Sequence, residues 1–131
     1  MRSSKRVPEP TAVEFDVLKI LWKAGKLSTR EVHERLRASY PWAYSTTRTT
    51  MERMAKKGLL VKAEFHGVNL YEPAASKPVA LARMVKDFAE RVLELDSGAL
   101  VPLFVWSKGL TRQEVEELSR LIVDDRGKRK R

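Results

Sequence analysis

Tyr44-Ser45-Thr46-Thr47-Arg48-Thr49-Thr50-Met51-Glu52-Arg53-Met54-Ala55-Lys56-Lys57-Gly58-Leu59-Leu60 is the stretch on which the fold turns. It opens with small hydroxyl residues able to cap a helix, and it stops at Lys-Lys-Gly, a common helix end. Met51, Met54 and Leu59 supply core anchors. Thr46, Thr47, Arg48, Thr49 and Thr50 are left near the helix start with little apolar work. Hydroxyl and guanidinium groups on the first turns of a helix suit the major groove of DNA. The plainer reading is an amphipathic helix with a polar outer face.

The flanks decide between the two. Upstream, Thr11-Ala12-Val13-Glu14 has capping-box spacing and predicts a helix to about Ala24. Val13, Val17, Ile20, Leu21 and Trp22 would form its buried stripe, and Gly25 its stop. Lys26-Leu27 reads as a connector. Ser28-Thr29-Arg30-Glu31 is a second capping box, opening a helix to about Ser39. Val32, Leu36 and the stem of Arg35 would face inward. Pro41 closes that segment, and Trp42-Ala43-Tyr44 forms a turn. Downstream, Leu60–Phe65 alternates like a strand, His66-Gly67-Val68-Asn69 supplies a turn, and Leu70-Tyr71-Glu72 returns before Pro73. Three short helices and a hairpin make a winged helix-turn-helix, whose third helix reads DNA and whose hairpin tip lies by the backbone.

Ala74 to Pro78 reads as a hinge. From Val79 a helix should run to about Leu95, with Leu81, Val85, Phe88, Val92 and Leu95 on one stripe. Asp96-Ser97-Gly98 breaks it. Leu100 to Trp106 is densely apolar and begins or kinks a short helix at Pro102. Thr111-Arg112-Gln113-Glu114 is a third capping box, and its helix, to about Val123, carries Val115, Leu118, Leu121 and Ile122. These segments hold more apolar surface than they can bury on one another, and a second copy of the chain is the economical cover, the alternative being that they fold back on the chain's own N-terminal domain. The residues expected to dimerise are Leu81, Val85, Phe88, Val92, Leu95, Leu100, Leu103, Phe104, Leu118 and Ile122. The expected fold is therefore mainly α with a small β-hairpin. It comprises a flexible basic arm (1–10), a winged-helix DNA-binding domain (11–75), a helical dimerisation domain (76–124) and a basic disordered tail (125–131).

Charge follows the same division. Residues 1–77 hold 15 Lys/Arg against 8 Asp/Glu, residues 78–125 hold 6 against 9, and the last six residues add five positive charges. A basic N-terminal half suits counterion release from phosphates, and it also suits an anionic surface or an acidic partner. The chain has no cysteine, which excludes disulfides and thiol chemistry and fits the cytoplasm. No apolar run is long enough to insert in a bilayer. His33 and His66 are the only histidines and lack metal-ligand spacing. His33 reads as a helix-surface residue and His66 as a turn residue. No cofactor, metal or enzymatic activity is expected.

The chain resembles the penicillinase-repressor family of bacterial winged-helix regulators, the BlaI/MecI/CopY group. The likeness rests on Pro10 to Trp22, Ser28-Thr29-Arg30-Glu31-Val32-His33, Tyr44 to Thr49 with Arg53 and Lys56 to Leu60, and Tyr71-Glu72-Pro73. A looser match covers Leu103-Phe104-Val105, Leu110-Thr111 and Glu114 to Leu118. The resemblance implies a dimeric repressor of double-stranded pseudo-palindromic operators, silencing antibiotic-resistance genes. It places Thr46, Arg48 and Thr49 at bases or nearby phosphates, and Tyr44 and Ser45 at the helix start. It also implies a partner, a membrane sensor-protease that cuts an Asn-Phe bond. Here Leu103 precedes Phe104, so Leu103-Phe104 stands where that switch would be. The copper-responsive cysteine motif is absent.

Each further contact has a physical basis. Arg48 can bond bidentately to guanine O6 and N7, and a threonine methyl can pack on thymine. Thr29 and Arg30, at a helix N-terminus, suit phosphates. Lys62 and His66 would place charge or donors on the wing. Arg53 can reach DNA, or it can pair with Glu52 or Glu14. Lys56-Lys57 can serve only to cap a helix end. The alternative for the whole chain is a winged helix used for protein interaction or for non-specific nucleic-acid binding. A protein-docking helix, however, would carry apolar anchors where this one carries threonine and arginine.

Overall fold

The Thr11 hydroxyl accepts from the Glu14 N–H at 3.3 Å, and Glu14 accepts from the Thr11 N–H at 3.0 Å. This reciprocal cap starts helix α1, Ala12–Ala24, which Gly25 ends at φ +96°. The computed structural model describes residues 9–129, with side chains through Val123; residues 1–8 of the expected arm and 130–131 of the expected tail lie outside the described residues. Glu14, Val17, Leu18 and Leu21 are the buried stripe of α1. Val13, Ile20 and Trp22, expected in that stripe, are only half-buried.

Ser28 and Glu31 make the second reciprocal cap, at 2.8 and 3.2 Å, and start α2, Thr29–Leu36. This helix ends before the expected Ser39, because the Ser39 and Tyr40 N–H groups both close on the Leu36 carbonyl. Arg35 does not turn inward; it is exposed and donates to the Glu31 carbonyl. Helix α3 spans Tyr44–Lys57 and ends at left-handed Gly58. Its hydroxyl residues do not cap it. The cap position is Ala43, which makes no side-chain bond.

Lys26-Leu27 is not a plain connector. Leu27–Ser28 forms strand β1, which pairs with β3 (Val68–Pro73), itself paired with β2 (Leu60–Phe65). All pairings are antiparallel, with Leu27 opposite Tyr71 and Lys62 opposite Tyr71 on the other side. The short strand covers one edge of the hairpin and brings buried Leu27 into the core. The hairpin turn is tighter than expected. Only His66 and Gly67 form it, at φ +51° and +81°, as a two-residue hairpin requires. Val17, Leu18, Leu21, Val32, Leu36, Met51, Met54, Leu60 and Tyr71 close one core over the sheet and three helices.

The chain divides into two compact units after Ala75. In the second, Ser76 caps α4, Lys77–Phe88, with Pro78 in its first turn. The expected helix to Leu95 loosens at Ala89–Leu93 into a π-helical turn, which left-handed Glu94 ends. A 3-10 turn at Ser97–Leu100 leads into α5, Val101–Phe104. Thr111 and Glu114 make the third reciprocal cap and start α6. That helix, Arg112–Arg129, continues past Val123 through residues expected to be a disordered tail. Among the described residues no helix is long and apolar enough to cross a membrane.

Candidate nucleic-acid interface

Helix α3 is built so that two of its threonines work inward. Thr47 is fully buried and Thr50 nearly so, against the expectation that both lie free. The reason is helical phase: positions 47, 50, 51 and 54 share the face that Met51 and Met54 commit to the core. The Thr50 hydroxyl donates to the Thr46 carbonyl at 2.8 Å. Thr47 Oγ1 accepts from Trp42 Nε1 at 2.8 Å and meets His33 Nδ1 at 2.8 Å. Ser45, Thr46, Arg48, Thr49, Glu52, Arg53 and Lys56 form the exposed face.

The start of α2 adjoins the start of α3. Arg30 is exposed, and its guanidinium lies 4.2 Å from the centre of the Tyr44 ring, a cation–π distance. The His33 ring meets Tyr44 edge-on, at 5.6 Å between centres. Thr29, expected to face phosphates beside Arg30, is instead buried and hydrogen-bonded to Tyr71. Burial pushes the Tyr71 phenol up, the charge of Glu52 adds to this, and the Thr29 bond opposes it.

Arg53 pairs with neither Glu52 nor Glu14. Among the described residues Arg48 and Arg53 have no ion pair. The partner of Glu14 is Lys57, whose Nζ donates to both carboxylate oxygens at 2.8 Å. Burial raises the Glu14 carboxyl. The Lys57 bond, the Thr11 N–H and the Lys57 charge outweigh that and hold it below 4.5. Arg53 lines an open concavity between α3 and β2 with Thr49, Glu52, Ala55, Lys56 and Lys62. This brings Thr49, Arg53 and Lys62 together. Lys56, read from the sequence only as a helix-end charge, belongs with them; its spacing of three from Arg53 was the available signal.

The wing tip is apart from that concavity. His66 stands at the turn with its ring 4.2 Å from that of Phe65. Phe65 is 60% exposed beside Val68.

The residues expected to dimerise divide into three sets. Leu118 and Ile122 are fully buried with Ala82 inside their own chain, so they cannot also lie at a partner's surface. Leu81, Val85 and Phe104 pack part-buried against that cluster, and Leu100 is half-buried. Phe88, Val92, Leu95 and Leu103 are exposed. The π turn explains part of this, since it changes the phase of Val92 and Leu95 relative to α4. The Leu103–Phe104 bond lies at the end of α5, with Leu103 outward and Phe104 inward.

The profile of the family described as Penicillinase repressor matches residues 10–124. The Penicillinase repressor of Bacillus licheniformis is 25% identical over 126 residues, covering 96% of this chain and 98% of that protein. The Methicillin resistance regulatory protein MecI of Staphylococcus aureus (strain N315) is 25% identical over 114 residues, covering 87% of this chain and 93% of that protein. Among solved structures, the DNA binding domain of the repressor BlaI is 30% identical with a TM-score of 0.50. It covers 56% of this chain and 89% of its own.

Proposed function

The chain belongs to the penicillinase repressor family, and from that premise we propose that it is a sequence-specific transcriptional repressor, binding a pseudo-palindromic operator as a homodimer. The observation that carries this reading is the outer face of α3. Four helices, α1, α2, α4 and α6, start with a side-chain cap at Thr11, Ser28, Ser76 and Thr111. Helix α3 starts without one, leaving N–H groups at Tyr44 and Ser45 for phosphate oxygens. Behind them Thr46, Arg48 and Thr49 are exposed. Arg30, stacked on Tyr44, supplies a positioned cation beside the same helix start.

Two substitutions separate base reading from backbone holding. Arg48→Ala should cost about 1–3 kcal/mol on the operator and relax preference at one base pair. Loss by an equal factor on every sequence would make Arg48 a phosphate contact. Arg53, Lys56 and Lys62 are assigned to phosphates, since they ring one concavity without apolar anchors. Lys62→Ala should weaken all duplexes alike and lower the slope of log affinity against log salt by about one. An unchanged slope removes Lys62 from the interface.

The second unit is assigned to dimerisation through Phe88, Val92, Leu95 and Leu103, which together with Val105 and Trp106 leave an exposed apolar surface. Two-fold symmetry then sets half-sites about one helical turn apart or a multiple of it. A cut at Leu103–Phe104 would detach α6, which carries Leu118 and Ile122, and so would end repression through loss of the C-terminal core.

The test is selection of bound sequences from random duplex DNA near physiological salt. An enriched inverted repeat is expected, and its positions in the genome identify the regulated genes. Retention without enrichment would mean that the basic half holds backbone alone.

A further inference from the structure

We propose that His33 is a positioning residue for DNA binding, and that the reading surface requires its neutral form with Nδ1 unprotonated. This rests on the operator reading above and adds a residue that touches no DNA. The geometry begins at Thr47, fully buried in the first turns of α3. Trp42 Nε1 can only donate, so the Thr47 oxygen accepts from it at 2.8 Å. Among the described residues the remaining partner of that hydroxyl is His33 Nδ1, at 2.8 Å. The Thr47 hydrogen is satisfied when Nδ1 accepts it. One buried hydroxyl thus ties α2, Trp42 just before α3, and α3 together. The same imidazole braces the Tyr44 ring edge-on, and Tyr44 carries Arg30 on its face.

Imidazole is the side chain that gains charge just below neutral pH. Protonated His33 would present two N–H groups. Thr47 Oγ1 would then face donors from both Trp42 and His33, and its own buried hydrogen would lose its acceptor. The new charge would also lie against the same Tyr44 ring that carries Arg30. Glu34 attracts it from the same helix, but Glu34 is exposed and already bonded to Arg37 at 2.9 Å, so that attraction is screened. Against the other side of Trp42 stacks Tyr40, whose hydroxyl is held by Asp16 at 2.5 Å. Neither group offers Thr47 a replacement.

The sign of the pH effect is diagnostic. A histidine lying on phosphate strengthens DNA binding as it charges. His33, acting through Thr47, weakens it.

The test measures affinity of the full chain for the selected inverted-repeat duplex at pH 7.5 and pH 5.5, at fixed salt, with circular dichroism confirming the fold at both. The wild type should bind about five- to tenfold more weakly at pH 5.5. His66→Asn, which removes the only other imidazole, should retain that dependence. His33→Asn, whose side-chain oxygen can stand in for Nδ1, should abolish it, while His33→Ala should be weak at both pH values. In the free protein, nitrogen-15 spectra at pH 7.5 should show His33 protonated on Nε2 alone. Binding that is flat or tighter at pH 5.5, a dependence that persists in His33→Asn, or a proton on Nδ1 overturns the assignment. A wild type that prefers no duplex at pH 7.5 overturns the operator reading, and this assignment with it.

Discussion

Phe88→Glu combined with Val92→Glu is expected to yield a folded monomer that binds the operator at least about 100-fold more weakly. Both side chains are exposed, at 47% and 61%, so their replacement removes little from the core of their own unit. The cluster of Ala82, Leu118 and Ile122 stays intact. At a dimer interface, by contrast, four carboxylates would be driven into an apolar contact, and unpaired buried charge is not tolerated there. The loss of affinity follows from linkage. Two half-sites held by one dimer gain from effective concentration, and two independent monomers forfeit typically 10²–10⁴. Sedimentation equilibrium and operator binding on the same samples check both halves of the expectation. A double variant that stays dimeric with unchanged strength would remove this face from the interface. Leu118→Ala supplies the contrast. It should cost about 2–5 kcal/mol of stability, because Leu118 is buried within its own chain and leaves a cavity there.

That contrast also shows what a sequence can reveal. Leu118 and Phe88 look alike on a helical stripe, and only the packing separates them: Leu118 is buried in its own unit while Phe88 stays exposed. Capping boxes are local. Thr11 with Glu14, Ser28 with Glu31 and Thr111 with Glu114 each sit three residues apart, and their helix starts were legible. The outward face of α3 was legible only in part: the spacing of Met51 and Met54 sets its phase, and that phase turns Thr47 and Thr50, expected to lie free, into the core. What escaped depends on distant partners. Leu27 becomes a strand only because Tyr71 lies opposite it. Thr29 turns inward to the same tyrosine, so the expected phosphate pair at α2 reduces to Arg30. His33 looked like a surface residue because its partner, Thr47, is fourteen positions away. Glu14 advertised its cap but not its ion pair, which Lys57 completes across 43 positions.

That ion pair gives the other large effect. Lys57→Met should destabilise the N-terminal unit by about 3 kcal/mol, because it leaves Glu14 buried without its counter-ion. Glu14 is 2% exposed and Lys57 25%, so the pair is screened far less than a surface one. A domain of this size holds only about 5–10 kcal/mol in total, so the change is large. It ties the end of α3 to the start of α1, and its loss should loosen α3 at the end opposite Thr47. The pH dependence has a definite sign. The folded Glu14 carboxyl is held below its ordinary 4.5, so the wild type has this stability in full above that value and loses it as pH falls through the folded one. In Lys57→Met the lowering contributions of Lys57 vanish while burial still raises the carboxyl, so stability should fall less steeply with acid. Urea unfolding from pH 7 to pH 3.5 measures both slopes. Parallel curves for the two proteins would mean that the pair adds nothing to the acid sensitivity, and that Glu14 is held by its Thr11 cap alone.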